Sequence, residues 1–198
     1  MGYRRAGFDV TGVDALPQPH YPFEFIHADF FELTPEWIRE NFDAVHASPP
    51  CQAHTKAQKL QGRDHPDLIE PTRELLKATG LPYVIENVPG APLIDPIVLE
   101  GQMFPELRTH RPRWFECSFP VDVPFMRGPR PARQAKMGRK PASDEWMQVV
   151  GHFSDVEAGR EAMGIGWMTR DELKEAIPPA YTNLIGCSLI KHLEAVAA

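Results

Sequence analysis

The sequence predicts an α/β domain built on a mainly parallel sheet, and three observations carry that reading. Short apolar runs suited to strands alternate with helix-forming stretches. The best of these runs are apolar nearly throughout, as strands covered on both faces are. Asp14, Asp29, Cys51 and Glu86 all fall at or just past the carboxyl ends of predicted strands, where ligands of such sheets gather.

In chain order, Gly2 to Ala6 reads as the end of a helix closed by Gly7, and Phe8 to Val13 as a strand ending at Asp14. Pro17 to Pro22 is a loop, Phe23 to His27 a second strand, and Asp29 lies just beyond it. Thr34 followed by Pro35 is an N-cap and first helical residue, opening a short helix through Glu40. Phe42 to Ala47 is an apolar strand that stops at Ser48-Pro49-Pro50-Cys51-Gln52, and Ala53 to Asp64 is polar and loop-forming. Pro66 to Thr79 is a helix with Leu68, Ile69, Leu75 and Leu76 on its apolar stripe and Gly80 as its stop. Pro82 to Ile85 is a strand ending at Glu86-Asn87-Val88. Further strands are expected at Ile97 to Glu100, Trp114 to Phe119 and Trp146 to Phe153. Helices are expected at Ala158 to Met163, Thr169 to Ala176 and, after Pro178-Pro179, Leu184 to Ala195.

The 198 residues give one domain with a small appendage. No apolar run is long enough for a membrane span or a secretory signal, so a cytoplasmic protein is expected. Cys51, Cys117 and Cys187 are widely spaced without C-x-x-C pairs, which suggests neither a disulfide framework nor a metal site. Net charge is −6, but nine Lys or Arg between Arg108 and Lys140 stand against only Glu116 and Asp122. That run is either a solvated loop or a phosphate-contacting surface.

Two residues point to chemistry. Free cysteines are most often core residues, but Cys51 stands in a polar, turn-forming context after a strand, as an accessible nucleophilic thiol does. A carboxylate following Tyr83-Val84-Ile85 is either a solvent-facing turn residue or a group held in a partly desolvated site, able to protonate a ring nitrogen.

Ser48-Pro49-Pro50-Cys51-Gln52 resembles the catalytic motif of DNA cytosine-C5 methyltransferases, and Glu86-Asn87-Val88 resembles their glutamate motif, in the family's order and spacing. Arg111-Pro112-Arg113 resembles the family's arginine motif, although Thr109 stands where glutamine is usual. The stretch from Arg160 to Gly186 is similar to the closing segment of small, phage-type members, some of which serve restriction-modification systems.

The resemblance implies a Rossmann-like S-adenosylmethionine-dependent methyltransferase sheet with helices on both faces. It implies Cys51 as nucleophile, Glu86 as activator of the ring, and Arg113 with Arg111 at the base. Asp14, Asp29, Pro50 and Asn183 are the expected S-adenosylmethionine contacts, and no metal is called for. Gln52, Lys56, Arg127, Arg130, Arg133, Lys136 and Arg139 are the expected DNA contacts. The implied divisions are 1–116 for the catalytic core, 117–159 for a small target-recognition part and 160–198 for a segment returning to the core. The family begins with a strand and glycine-rich loop ahead of the helix whose remainder is Gly2 to Ala6, so an N-terminally truncated sheet with an edge open to self-association is expected. A DNA-binding relative without catalysis, and a thiol enzyme acting on free pyrimidine nucleotides, remain the alternatives.

Overall fold

The computed structural model describes residues 1–50, 67–124, 133–136, 139, 141–142 and 144–197. In chain order the elements are α1 (Gly2–Ala6), β1 (Thr11–Asp14), β2 (Glu24–His27), α2 (Pro35–Asn41), β3 (Val45–Ala47), α3 (Ile69–Thr79), β4 (Tyr83–Asn87), β5 (Ile97–Leu99), β6 (Arg113–Cys117), α4 (Val156–Met163), α5 (Arg170–Glu175) and α6 (Pro179–Ala197). They fall into two compact units, one of Val10–Val98 and Arg113–Val121, the other of Met1–Asp9, Leu99–Pro112 and Asp122–Ala198. The expected divisions at 116/117 and 159/160 fall inside β6 and inside α4.

The first unit is α/β, as the alternation of strand and helix signals predicts. Strands β1 and β2 pair in parallel, Thr11 opposite Glu24 through Asp14 opposite His27. A second sheet has the order β3-β4-β6-β5, with β3 parallel to β4 and β4 antiparallel to β6. The mainly parallel sheet expected from the apolar runs is therefore corrected to two sheets, one of them mixed. An apolar strand reports burial on both faces and not the direction of its neighbour, so the antiparallel entry of β6 left no mark in the sequence.

Local signals were more dependable. Thr34 Oγ1 accepts from Trp37 N at 3.2 Å and Pro35 occupies the first turn, which starts α2 where expected. Gly80, at φ +72°, ends α3 in the left-handed conformation that an L side chain resists. Strand β4 runs two residues beyond the expected end, because Glu86 and Asn87 pair with Phe115 and Trp114.

In the other unit α1 lies against α6. A Cβ on Gly2 would stand 1.9 Å from Thr182 Oγ1, and one on Gly186 would stand 2.7 Å from Ala6 Cβ, so both glycines are needed for the close approach. The strand expected at Trp146 to Phe153 is replaced by single bridges, Thr109 with Met147 and Gln134 with Trp146. Met147, Val149 and Phe153 are apolar because they bury against Ala162, Met163 and Leu173 of α4 and α5, not because they join a sheet. Thr169 and Glu172 form a reciprocal capping box at the start of α5. Helix α6 begins at Pro179, earlier than expected, since proline at the first helical position loses no hydrogen bond.

Candidate functional site

The site is assembled on the carboxyl end of β4. Antiparallel pairing sets Glu86 opposite Phe115, which puts Glu86 and Arg113 on one face of the sheet at diagonal positions. Arg113 Nε lies 2.9 Å from Glu86 Oε1, and both side chains are largely buried. A buried carboxylate needs such a partner, because desolvation without compensation costs several kcal/mol.

The next residue ties this strand to the loop after β3. Asn87 is 1% exposed, donates from Nδ2 to Pro49 O at 3.0 Å, and accepts from Val88 N through Oδ1 at 2.9 Å. The clasp fixes the backbone two residues before Cys51 against the residue following Glu86. Cys51 itself, with Gln52, Lys56, Arg127 and Arg130, lies outside the described residues.

The opposite face of the same strand pair carries a structural ion pair. Arg73 of α3 donates from Nε and Nη2 to the two oxygens of Glu116, each at 2.8 Å, and from Nη2 to Pro92 O at 2.9 Å. Glu116 also accepts from Ile94 N at 2.8 Å. Burial pushes the Glu116 carboxyl up, but the Arg73 hydrogen bonds, the Ile94 N–H and the Arg73 charge outweigh it and hold the group below the usual carboxylate range. The bidentate pair locks α3 and the loop after β4 onto the sheet. The sequence stripe that identified α3 gave no sign of it, since an arginine on a helix ordinarily reads as solvent-facing.

Strand β3 contributes His46, a residue the sequence reading assigned no role. Desolvation pushes its imidazole down to about 4, so it is neutral near pH 7. Its Nε2 lies 3.3 Å from Ser48 Oγ, and its ring meets Phe115 edge-on with centroids 6.3 Å apart. The available signal was a polar residue at the centre of an apolar strand immediately before Ser48-Pro49-Pro50. Cys117 is not a competing nucleophile: burial, then the Glu116 charge, push its thiol up to about 12.

A cavity of about 470 Å³ opens beside this loop, lined by β1, β3, α2 and the residues that follow β1, β2 and β3. Asp14 and Asp29 stand on it with Phe30, Phe31 and Ser48 to Pro50. Asp14 accepts from Leu16 N at 2.8 Å through Oδ1 and from Gln18 Nε2 at 3.0 Å through Oδ2, while Asp29 Oδ1 accepts from Phe31 N at 2.9 Å. Each carboxylate is thereby oriented while keeping lone pairs for hydroxyl or amino donors. Two fixed carboxylates beside phenylalanine rings suit an adenosine group.

The other expected site residues fall in the second unit. Arg111 was expected at the base, but its guanidinium serves the fold: it donates to Ala176 O at 2.9 Å, Val149 O at 2.7 Å and Lys174 O at 2.6 Å. These bonds hold it at a backbone φ of +36°. Asn183 lies half-buried on the first turns of α6. Arg133 pairs with Asp144 at 3.1 Å and Arg139 with Glu145 at 2.5 Å, while Lys136 is exposed. The Arg139 hydrogen bond, aided by Ala142 N, holds the Glu145 carboxyl down near 2. Two of the expected phosphate contacts thus already have carboxylate partners, which a phosphate would have to displace.

Among the described residues no group of three or more His, Cys, Asp or Glu is placed to share a metal ion, and no helix is long and apolar enough to cross a membrane. No protein-family model and no curated protein matches the sequence.

Proposed function

We propose that this chain carries the base-attacking site of a DNA cytosine-C5 methyltransferase. The observation that supports this most is the joint placement of Glu86 and the Pro49 loop. Arg113 holds Glu86, Asn87 holds the Pro49 carbonyl, and Cys51 follows two residues later.

On this reading a cytosine turned out of the duplex lies between the loop and β4. Cys51, as thiolate, forms a bond from Sγ to C6 of the ring. Glu86 accepts from the exocyclic amino group and assists protonation at N3, without which the ring is a poor electrophile. Arg113 positions Glu86 and contacts O2. Once C5 bears the methyl group, loss of its proton to solvent lets the electron pair return to C5–C6, breaking the Sγ–C6 bond and restoring Cys51. Asp14, Asp29, Phe30 and Pro50 would hold S-adenosylmethionine, whose sulfonium supplies an electrophilic methyl group for C5 when bound. His46, neutral near pH 7 behind Ser48, adds no charge to the floor of the loop.

The test is transfer of a labelled methyl group from S-adenosylmethionine to unmethylated mixed-sequence DNA, with Cys51→Ala as control. Transfer that disappears in the variant is expected. A folded chain that binds DNA but transfers nothing overturns catalysis and leaves a DNA-binding relative; transfer to free nucleotides but not to DNA reassigns the substrate.

A further inference from the structure

We propose that a small ribbon in the second unit, made by residues 108–110, 133–135 and 145–150, reads base edges of duplex DNA through Gln134 and Gln148. The inference deepens the proposed function, on which it rests for the class of ligand, by naming the side chains that select the target.

Three short segments meet in the ribbon. Trp146 N donates to Arg133 O at 3.2 Å, Ala135 N to Trp146 O at 2.9 Å, and Met147 N to Arg108 O at 2.8 Å. The bridges pair Gln134 with Trp146 and Thr109 with Met147. Successive side chains of an extended segment point to opposite sides. Glu145, Met147 and Val149 are buried, as is Thr109. Trp146, Gln148 and Val150 alternate with them and are half-buried or exposed, as are Arg108, His110 and Gln134 in the neighbouring segments. The His110 and Trp146 rings lie 5.2 Å apart at 40°, which places both on the outward face.

The ribbon is held from behind. Gly101 N donates to His110 O at 2.7 Å, Tyr181 Oη to Arg111 O at 3.0 Å, and Arg111 Nη1 to Val149 O at 2.7 Å. A Cβ on Gly101 would stand 1.6 Å from Thr109 O, so only glycine permits this approach. Gln148 therefore sits between two buried, anchored residues, and its amide extends from a fixed backbone. A fixed backbone lowers the ordering cost of binding.

A protein-binding patch needs an apolar centre, whereas Met147 and Val149 turn inward here. Duplex DNA suits the outward face better. Nine Lys or Arg against two acidic residues between Arg108 and Lys140 supply the attraction, and Arg108 and Lys136 are exposed in the ribbon's own segments. Arg133 and Arg139 are matched by Asp144 and Glu145, which weakens a sequence-independent grip and leaves selection to neutral groups. A glutamine amide donates and accepts at once, so it pairs with adenine N6 and N7 in the major groove, while a ring meets the thymine methyl of the same pair. Two glutamines flanking Trp146 fit a site containing an A·T pair.

The full chain, without cofactor, is used to retain duplexes from a random unmethylated library at fixed salt, and the retained pool is sequenced. Enrichment of an A·T pair is expected. Gln134→Ala combined with Gln148→Ala should reduce that enrichment by about tenfold or more. Gln148→Glu should turn the preference at its position toward cytosine, whose N4 amino group donates to a carboxylate. Lys136→Ala should lower retention of all sequences alike. No retention of duplex DNA by the folded chain, retention without A·T enrichment, or a preference that the glutamine variants leave unchanged overturns the proposal. Methyl transfer to the same library separates this inference from the reading it rests on. Transfer with a preference independent of both glutamines removes the ribbon's role and leaves the methyl-transfer site standing. Glutamine-dependent retention without transfer removes the methyl-transfer site and leaves the ribbon's role standing.

Discussion

Arg113 Nε and Glu86 Oε1 stand 2.9 Å apart on one face of the β4–β6 pair, although 26 positions separate them in the chain. The antiparallel register makes that meeting obligatory: with Glu86 opposite Phe115, the residue two places earlier on β6 lies diagonally across from the carboxylate. Whatever Glu86 does, Arg113 fixes its orientation.

Glu86→Gln keeps the shape and removes the acid, so methyl transfer should fall by about a hundredfold or more, the usual worth of a positioned acid or base. Arg113→Ala should lower the rate and weaken DNA binding less than it lowers the rate. Single-turnover kinetics with circular dichroism as a folding control checks both; an unchanged rate in Glu86→Gln removes Glu86 from the chemistry.

On the proposed reading, Asp14 and Asp29 govern cofactor binding in the cavity they line. Asp29→Asn retains a cap for Phe31 N but loses the charge, and Asp14→Asn does the same beside Leu16 N. Each should weaken S-adenosylmethionine binding by about tenfold to a hundredfold, equivalent to one hydrogen bond to a charged group. Titration calorimetry with S-adenosylhomocysteine reads this without any turnover.

His46 predicts a pH dependence of stability. Its folded value near 4 lies below the ordinary 6.5, so the unfolded chain takes up a proton between those limits that the folded chain refuses. The stabilising contribution is complete above about pH 6.5 and is lost as pH falls toward 4, by an amount on the order of 2–3 kcal/mol. Urea unfolding at pH 7 and pH 4.5 should show a smaller difference for His46→Asn than for the wild type.

Arg73 and Glu116 form a buried pair; removing Arg73 strands the Glu116 charge, whereas removing Glu116 leaves Arg73 with the mostly exposed Glu70 carboxylate. Arg73→Met should destabilise by about 3–5 kcal/mol, Glu116→Gln by less, and the double variant by less than the sum. Denaturant melts arranged as a double-mutant cycle measure the coupling.

Arg111→Ala removes the donor from one buried carbonyl, Val149 O, and two part-buried ones, Lys174 O and Ala176 O. A loss of about 2–4 kcal/mol is expected, with Arg111→Lys rescuing only part because an ammonium lacks the planar fork. A loss of activity without loss of stability would return Arg111 to the site.

The sequence alone determined what is local. Thr34-Pro35 and Gly80 bounded their helices because a capping oxygen, a fixed φ and a missing Cβ act within one turn. It also placed Asp14 and Asp29 at strand ends, since apolar runs and their polar terminators are contiguous. Tertiary structure decided the pairings. The antiparallel entry of β6, the Glu86–Arg113 contact, the Asn87 clasp on Pro49 and the Arg73–Glu116 lock each join residues distant in sequence. Arg111 and Arg113 shared one motif, yet three carbonyls from Val149, Lys174 and Ala176 make Arg111 a fold clamp, and a carboxylate from β4 orients Arg113. Residue type limits the partners a side chain accepts; which partner it meets depends on how strands and loops close in space.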